Sequence, residues 1–263
     1  MPKMLCLDLD ETLLMPDLSI PQPVVDALRR LIARGVIVTL ATGRMFPSAK
    51  KYADLIGITA PLVVYNGAVV RAAAAAEPLH SSPVPMDAMR DIIDIAVSNG
   101  WYLQLYNDDK IVVAQKSWET ERDPDLKNAP CLEVGDLRAA VLGPTPKLMT
   151  MAEPAEIVRR KALLQQRMGN RLYLAASSPS LLEMMNCNVS KAHSLEWLCR
   201  QLGMTSADAV ACGDSDNDME MLLWAGIGCC MKNGLASVKE RCDYVCQNER
   251  SYGVLEVIER FFK

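Results

Sequence analysis

Apolar and polar positions follow a strand–helix–strand rhythm along the first 65 residues. Continuous apolar runs at Met4–Leu7, Val36–Ala41 and Leu62–Tyr65 predict strands that are buried on both faces. Between these runs, Pro21–Arg34 places its apolar residues at helical spacing, and Ser48–Ile56 also predicts a helix. Strands that alternate with helices predict parallel βαβ units with right-handed crossovers.

The rhythm changes between residues 66 and 186. Asn66-Gly67 is a turn signal, and a short hairpin is predicted after it. From Pro83 onward the predicted strands come in adjacent pairs with helices between them. These elements are helix Met86–Ser98, strands Trp101–Tyr106 and Ile111–Ala114, strand Lys147–Met151, helix Pro154–Met168, and strands Leu172–Leu174 and Leu181–Met185. The segment near Asp123–Pro130 looks irregular. This pattern predicts an α+β insert built on an antiparallel sheet.

The βα rhythm returns after Ser190. The predicted helices are Ser190–Leu202, Asn217–Trp224, Leu235–Arg241 and Tyr252–Phe262, and the predicted strands are Ala209–Cys212, Ile227–Met231 and Tyr244–Cys246. We therefore predict an α/β protein with a doubly wound, mainly parallel-sheet, Rossmann-like core. Residues 1–82 and 187–263 would form this core, and residues 83–186 would form an inserted α+β domain.

Composition and charge argue against a nucleic-acid-binding protein and against a membrane protein. Half of the 263 residues are apolar, which supports a sizeable buried core, and the formal net charge of -4 gives no general attraction to nucleic acid or to an anionic membrane. No apolar run approaches the ~18 residues of a membrane span. The opening segment lacks the pattern of a signal peptide, so we expect a cytoplasmic protein. The nine cysteines lack CxxC spacing and are expected to be buried, reduced thiols.

Two candidate chemical segments follow the first two predicted strands. Asp8-Leu9-Asp10-Glu11-Thr12 comes directly after the first strand, and two carboxylates at i and i+2 of an extended segment project to the same side. Such close carboxylates stay ionised together only when a cation shares them, and a hard divalent ion is the natural candidate. Thr42-Gly43-Arg44 follows the second strand, where a hydroxyl and a glycine allow a phosphate oxygen close to the backbone. A solvated acidic loop and a plain turn are the alternatives.

Two further segments lie in the last third of the chain. Ser190 is a candidate N-cap, and Lys191 would lie in the first turn, where its charge opposes the helix dipole. This misfit indicates a functional reason, such as neutralising a phosphate, although a solvated lysine is the alternative. The segment from Gly213 to Asp218 places three carboxylates at a strand end. We expect Asp216 to cap the helix and Asp214 to remain for a metal, against the alternative of a capped helix start alone.

These four segments together supply the groups that one reaction needs at one edge of the sheet. Ligands of an open parallel sheet bind beyond the carboxyl ends of its strands, and the segments lie at such ends or at a helix start. Phosphoryl transfer needs a nucleophile, a metal that neutralises charge, and cationic or amide donors for the phosphate oxygens.

The four segments, in this order and spacing, resemble the haloacid dehalogenase-like (HAD) phosphatase superfamily over essentially the whole chain. The insert resembles the type-two cap of its Cof-type branch, as do Val64-Tyr65-Asn66-Gly67-Ala68 and Ala225–Val238. The resemblance implies a Mg²⁺-dependent phosphatase that works through an aspartyl-phosphate intermediate. Asn188 to Ala192 lacks a glycine that such relatives usually carry beside the lysine, and Lys232 replaces another glycine; both departures concern the rim of the site.

The resemblance also implies a role for each residue. Asp8 would be the nucleophile and Asp10 the general acid and base. Mg²⁺ would be held by the Asp8 carboxylate, the Asp10 main-chain carbonyl and Asp214. The residues implied to bind phosphate are Leu9, Thr42, Gly43, Lys191 and Asn217, with Asp218 acting behind them.

The substrate is expected to be a small phosphorylated metabolite, with sugar phosphates ahead of pyridoxal phosphate. Trp101, Tyr102, Tyr106 and Trp118 could offer an aromatic surface, but such residues are more often core. No nucleic acid or membrane partner is expected, and the chain would be a monomer or homodimer. Two other functions remain open: a sugar phosphomutase, and a regulatory phospho-acceptor, against which the acid at Asp10 argues.

Overall fold

The computed structural model describes residues 2–263, apart from the side chains of Pro124 and Ser177. Its chain divides into two compact units, Met1–His80 with Ser190–Lys263, and Ser81–Val189. Each unit has its own apolar core. Within residues 2–263, no helix is both long and apolar enough to cross a lipid bilayer.

The N-terminal part alternates strands and helices, as its pattern predicts. Its elements are β1 (Met4–Leu7), α1 (Gln22–Ala33), β2 (Ile37–Leu40), α2 (Phe46–Ile56), β3 (Leu62–Val64), β4 (Val69–Arg71) and β5 (His80–Ser81). Pro23 lies in the first turn of α1 and Pro47 in that of α2, where the missing N–H costs nothing. Strands β3, β4 and β5 form a small sheet of their own.

The middle unit contains a six-stranded sheet in the order β10-β11-β9-β6-β7-β8. Its elements are α3 (Met86–Ser98), β6 (Gln104–Asn107), β7 (Lys110–Val113), α4 (Trp118–Arg122), β8 (Cys131–Glu133), β9 (Leu148–Met151), α5 (Pro154–Met168), β10 (Leu172–Ser178) and β11 (Leu181–Asn186). All neighbours pair antiparallel except β7 and β8. The segment expected to be irregular, Asp123–Pro130, contains a short helical turn at Pro124–Lys127 and lies between α4 and β8.

The C-terminal part completes the first unit. Its elements are α6 (Lys191–Gln201), β12 (Ala209–Gly213), α7 (Met219–Trp224), β13 (Ile227–Cys230), α8 (Ala236–Lys239), β14 (Tyr244–Val245) and α9 (Arg250–Phe261). The main sheet has the order β14-β13-β12-β1-β2, and every neighbouring pair is parallel. The predicted α/β fold with a mainly parallel core sheet is therefore confirmed.

Both faces of the main sheet are covered. Met4 and Cys6 belong to one apolar cluster with residues of α6 and α7, while Leu5 and Leu7 are equally buried on the opposite face. The chain leaves β1 toward β2 on one side, and it continues from β12 toward β13 and β14 on the other. Such a reversal of strand order opens a crevice at the carboxyl ends of the two central strands.

Candidate active site

Asp8 lies at the carboxyl end of the central strand β1. Its backbone N–H donates to the carbonyl of Cys212 at 3.0 Å, so the β1–β12 pairing continues as far as this residue. Asp8 is only 5% exposed. Burial raises the pKa of the Asp8 carboxyl well above its ordinary value; the charge of Lys191 opposes this rise, and those of Asp218 and Asp214 add to it. The carboxylate therefore needs nearby positive charge to remain ionised.

Lys191 supplies part of that charge from the first turn of α6. Ser190 caps the helix as predicted, since its Oγ accepts the N–H of His193 at 3.1 Å. Lys191 is 1% exposed, and its Nζ donates to Oδ1 of Asp8 and to Oδ1 of Asp218, each at 2.6 Å. Burial alone would lower the pKa of Lys191, but the two carboxylates outweigh it and raise that pKa. The alternative of a solvated lysine is wrong.

Asp218 holds this arrangement together from the turn after β12. Its Oδ2 accepts the backbone N–H groups of Asp214 at 2.9 Å and Ser215 at 3.1 Å, while its Oδ1 accepts from Lys191. Gly213 is required beside it, because an added Cβ would lie 2.5 Å from the Cβ of Asp218. Both oxygens of Asp218 are thus engaged by donors of the protein.

The expected helix cap at Asp216 is wrong. Ser215 is the N-cap of the turn Asp216–Asp218, and Asp218, three residues later, returns a bond to the Ser215 N–H. This reciprocal capping box satisfies the free N–H groups of the turn without Asp216. Asp216 is exposed, and its Oδ1 accepts a 3.4 Å hydrogen bond from Ser237.

Asp214 follows β12 and faces Asp8 across the crevice. The Oγ1 of Thr12 donates to its Oδ1 at 2.8 Å. Burial, together with the charge of Asp218, raises the pKa of Asp214 to about 7. Carboxylate oxygens of Asp8, Asp214 and Asp218 all lie within 4.8 Å of one another. We call these three residues the acidic cluster.

The acidic cluster fits a divalent cation. Asp8 accepts from the Lys191 ammonium and Asp214 accepts from the Thr12 hydroxyl, each through its Oδ1. Three buried carboxylates face a single lysine, so a negative charge excess remains that protons or a cation must balance. Hard oxygen ligands of this kind suit Mg²⁺.

The side chain of Asp10 is not part of the acidic cluster. Its carboxylate forms two hydrogen bonds with the guanidinium of Arg44, at 2.6 and 2.8 Å, and is half exposed. The sequence resemblance assigned its main-chain carbonyl to the metal, and that assignment stays a prediction. Leu9, which precedes it, is fully buried, so only its main chain could meet a phosphate.

The segments that follow β3 and β12 meet through side-chain amides beside the turn that follows β2. The Oγ1 of Thr42 accepts the N–H of Arg44 at 3.2 Å, which shapes the turn. Beside it, an added Cβ at Gly43 would lie 3.0 Å from Oδ1 of Asn66. That same oxygen accepts the Nδ2 of Asn217 at 3.1 Å. The structure therefore brings Gly43, Asn66 and Asn217 together.

Asn66 was not predicted as a site residue; the sequence marked it as part of a turn signal and of a stretch that resembles the Cof-type branch. It is buried and has a φ of 56°, in the left-handed region. A buried asparagine with positive φ indicates a functional residue, but neither its burial nor its φ can be read from the sequence. Its neighbour Gly67 has a φ of 102° and packs against the Ser190 carbonyl, which links this turn to the start of α6.

The loop after Asp8 is anchored by residues near the C-terminus that sequence reasoning also missed. Glu11 has a φ of 61°; its carbonyl accepts the Nδ2 of Asn233 at 2.7 Å, and its carboxylate pairs with Arg250. The Oγ of Ser251 donates to the Leu13 carbonyl. The local sequence around these residues carries no signal of these contacts, because they join positions more than two hundred residues apart.

Comparisons with known proteins agree with this geometry. The family model of the haloacid dehalogenase-like hydrolases matches residues 5–258. An HMP-PP phosphatase of Yersinia pestis is 31% identical over 91% of this chain and 87% of its own length. The 5-amino-6-(5-phospho-D-ribitylamino)uracil phosphatase YitU of Bacillus subtilis is 27% identical over 99% of this chain and 98% of its own. A crystal structure of a haloacid dehalogenase-like hydrolase from Bacteroides thetaiotaomicron superposes with a TM-score of 0.92 and 25% identity over the full length of both chains.

Proposed function

Because the chain belongs to the haloacid dehalogenase-like hydrolase family, we propose that it is a phosphatase acting on small phosphorylated metabolites through a phosphoenzyme at Asp8. The single observation that carries the proposal is the pairing of Asp8 with Lys191 beside Asp214 in a buried crevice. This arrangement supplies a nucleophile, a fixed cation and a place for a divalent ion, which are the requirements of phosphoryl transfer.

The reaction proceeds in two balanced steps. A carboxylate oxygen of Asp8 forms a bond to phosphorus while the bond to the leaving oxygen breaks, and Asp10 gives that oxygen a proton. Water then attacks phosphorus, Asp10 takes the proton of the water, and the bond between phosphorus and Asp8 breaks. Inorganic phosphate leaves and the carboxylate of Asp8 is restored.

Lys191 acts in both steps through its positive charge, which is strong in a buried site, and through its three N–H donors. Its charge keeps Asp8 ionised before the attack, and it offsets negative charge on the phosphoryl oxygens during transfer. Asp218 fixes the lysine through its 2.6 Å hydrogen bond. Thr42, Gly43 and Asn217, together with the main chain of Leu9, would bind the remaining phosphate oxygens, with Asn66 holding Asn217 in place.

Mg²⁺ is the proposed cofactor. The carboxylates of Asp8 and Asp214 would hold it, with the main-chain carbonyl of Asp10, and Thr12 orients Asp214. When bound, the ion supplies positive charge against the phosphoryl group and so lets the nucleophile and the anionic substrate approach each other. The raised pKa values of Asp8 and Asp214 support this assignment, because buried carboxylates this close are hard to ionise together without a nearby cation.

Sugar phosphates are the proposed substrates, with pyridoxal phosphate second. The two curated relatives described above are named for different compounds, so neither compound transfers directly to this chain. Of the four aromatic residues considered as a surface, Tyr106 is buried, whereas Trp118 is 50% exposed and could contact a ligand. The names of the relatives favour hydrolysis over the phosphomutase and the phospho-acceptor.

A phosphate-release assay tests the proposal. Purified protein is given Mg²⁺ and a panel of sugar phosphates, pyridoxal phosphate and the compounds named for the two relatives. We expect Mg²⁺-dependent release that EDTA abolishes. Asp8→Asn should lower kcat by about 10³-fold or more, as for other nucleophile replacements, while the protein still folds.

Asp216→Asn is the matched control, since it removes an exposed carboxylate from the loop that also carries Asp214 and Asp218. This variant should retain nearly full activity. Substantial hydrolysis by Asp8→Asn would contradict the assignment of Asp8 as the nucleophile. Phosphate release that is unchanged by EDTA would contradict the requirement for Mg²⁺.

A further inference from the structure

Arg44 and Asp10 form an ion pair in which one side chain is buried and the other is half exposed. The Nη2 of Arg44 donates to Oδ1 of Asp10 at 2.6 Å, and its Nε donates to Oδ2 at 2.8 Å. This two-point contact fixes both the position and the rotation of the carboxylate. Arg44 is 6% exposed, whereas Asp10 is 51% exposed. The fixed partner is therefore the arginine, and the partner that solvent can reach is the carboxylate.

The backbone and the guanidinium of Arg44 are both held in place. Its N–H donates to Thr42 Oγ1, its carbonyl accepts the N–H of Tyr65 at 3.0 Å, and its guanidinium lies 5.7 Å from the centre of the Tyr52 ring. The arginine directly follows Thr42 and Gly43, the turn that would bind phosphate. One loop thus carries both the phosphate-binding residues and the group that orients Asp10.

A stabilising role does not account for this pair. Ion pairs with a half-exposed partner contribute little to folding, while burying a guanidinium costs solvation. A proton donor, by contrast, gains much from being held in one orientation near the reacting atoms. An unpaired Asp10 side chain, half in solvent, would sample several rotamers.

From this geometry we infer that Arg44 is a positioning residue, which orients the Asp10 carboxyl for proton transfer to the leaving oxygen and from water. The inference rests on the proposed function, because it assigns Arg44 an effect only through the acid and base role of Asp10. It assigns Arg44 no direct contact with the substrate phosphate, which Lys191 and the Thr42–Gly43 turn would bind.

The test is a double-mutant cycle of Arg44→Met and Asp10→Asn, measured as leaving-group release in a single turnover. Two substrates are compared: an alkyl phosphate, whose leaving oxygen needs a proton, and p-nitrophenyl phosphate, whose leaving group departs as a stable anion. With the alkyl phosphate, Arg44→Met should slow release by about 10²-fold, within the range of general acid catalysis. The loss should be much smaller with p-nitrophenyl phosphate.

In the Asp10→Asn background, removing Arg44 should cause no further loss, because residues that act as a unit are not additive. KM and inhibition by inorganic phosphate should stay near their wild-type values. Arg200→Met is the control, since it removes an exposed arginine that pairs with Glu196 on α6, and it should leave all rates unchanged. If Arg44→Met does not fold, Arg44→Lys, which keeps the charge and loses the two-point contact, is used in the same cycle.

Each contrary result has a distinct meaning. Losses that multiply in the double variant, or a rise in KM with unchanged release, would show that Arg44 acts directly on phosphate and would overturn the inference. Equal losses on both substrates would overturn it as well. If Asp10→Asn alone leaves release unchanged, the acid assignment in the proposed function fails, whereas a slow Asp10→Asn with a normal Arg44→Met rejects only the role of Arg44.

Discussion

Each of the two units buries a lysine against carboxylates, and the two sites differ in how the charges are balanced. In the first unit, Lys191 contacts Asp8 and Asp218 at 2.6 Å. In the second unit, Lys147 contacts Glu183, also at 2.6 Å, with both side chains almost fully buried. Burial would lower the pKa of Lys147, but Glu183 and Asp125 together outweigh that effect and raise it, so both lysines are held protonated.

The two sites differ in the groups that surround each lysine. In the second unit, the carboxylate of Asp123 accepts from the Tyr106 hydroxyl, the Gln104 amide and the backbone N–H of Asp125. Neutral donors thus satisfy its charge. Among the described residues, only the acidic cluster of the first unit brings three potential ligand atoms together. The comparison shows that convergence of three carboxylates on one point, rather than the number of buried acids, marks a metal and phosphate site.

Replacing each lysine should sharpen this contrast most. Lys191→Met removes the fixed cation beside the nucleophile, and we expect kcat to fall by about 10³-fold. Lys147→Met removes the charged partner of the buried Glu183 carboxylate, and it should cost about 3–5 kcal/mol of unfolding free energy. Chemical denaturation and phosphate release, measured on both variants, check the two effects separately.

A paired replacement serves as the control for the second unit. Lys147→Met combined with Glu183→Leu should recover much of the lost stability, because apolar residues often replace a buried ion pair without loss. If the double variant does not recover stability, or if Lys191→Met has normal kcat, the assignment of a structural role to Lys147 and a catalytic role to Lys191 would be contradicted.

The acidic cluster should also make stability depend on pH and Mg²⁺. The folded protein keeps a proton on Asp214 up to about pH 7, while the unfolded chain releases it near the ordinary value of 3.8. The unfolding free energy of the metal-free protein is therefore expected to fall as pH rises from about 4 to 7. Mg²⁺ should raise Tm more at pH 8 than at pH 5, because protons compete with it for the carboxylates.

Thermal unfolding across this pH range, with and without Mg²⁺, measures both effects. Asp214→Asn is the control and should flatten the pH dependence and reduce the shift that Mg²⁺ causes. A Mg²⁺ shift that is the same at both pH values would mean that the ion binds elsewhere.

The smallest expected effect concerns the orientation of Asp214. Thr12→Val keeps the shape of the side chain and removes the hydroxyl that donates to Asp214 at 2.8 Å. Loss of such an orienting bond typically weakens metal binding by about 10-fold or more. A Mg²⁺ titration of phosphate release checks this, and Thr150→Val, which removes a buried hydroxyl of the second unit, should leave the Mg²⁺ dependence unchanged.

The pattern of the sequence predicted the main architecture because buried parallel strands and amphipathic helices carry strong periodicity. Strand β1 matches its prediction of Met4–Leu7, and α5 matches Pro154–Met168. The two short elements α4 and β8 were not predicted, since they are only five and three residues long. Elements this short have too few positions to show a period.

The candidate site was predictable only where chemistry coincides with a strand end or a helix start. Asp8, Asp214 and Lys191 have such positions, and the structure brings them together. Arg44 was noticed only as part of a turn, and its pairing with Asp10 could not be predicted, because no local pattern specifies which carboxylate a distant guanidinium meets. The same holds for Asn66, whose burial and positive φ arise from tertiary packing.

Trapping the phosphoenzyme tests whether Asp8 is the nucleophile. The protein is mixed with Mg²⁺ and a substrate found in the phosphate-release assay, quenched within one turnover, and treated with borohydride, which reduces an aspartyl phosphate to homoserine. Peptide mass spectrometry then locates the change. If Asp8 is the nucleophile, homoserine appears at position 8 of the wild-type chain, and none forms in the absence of substrate. Turnover with no modification at position 8, or with the modification at another aspartate, would contradict this assignment.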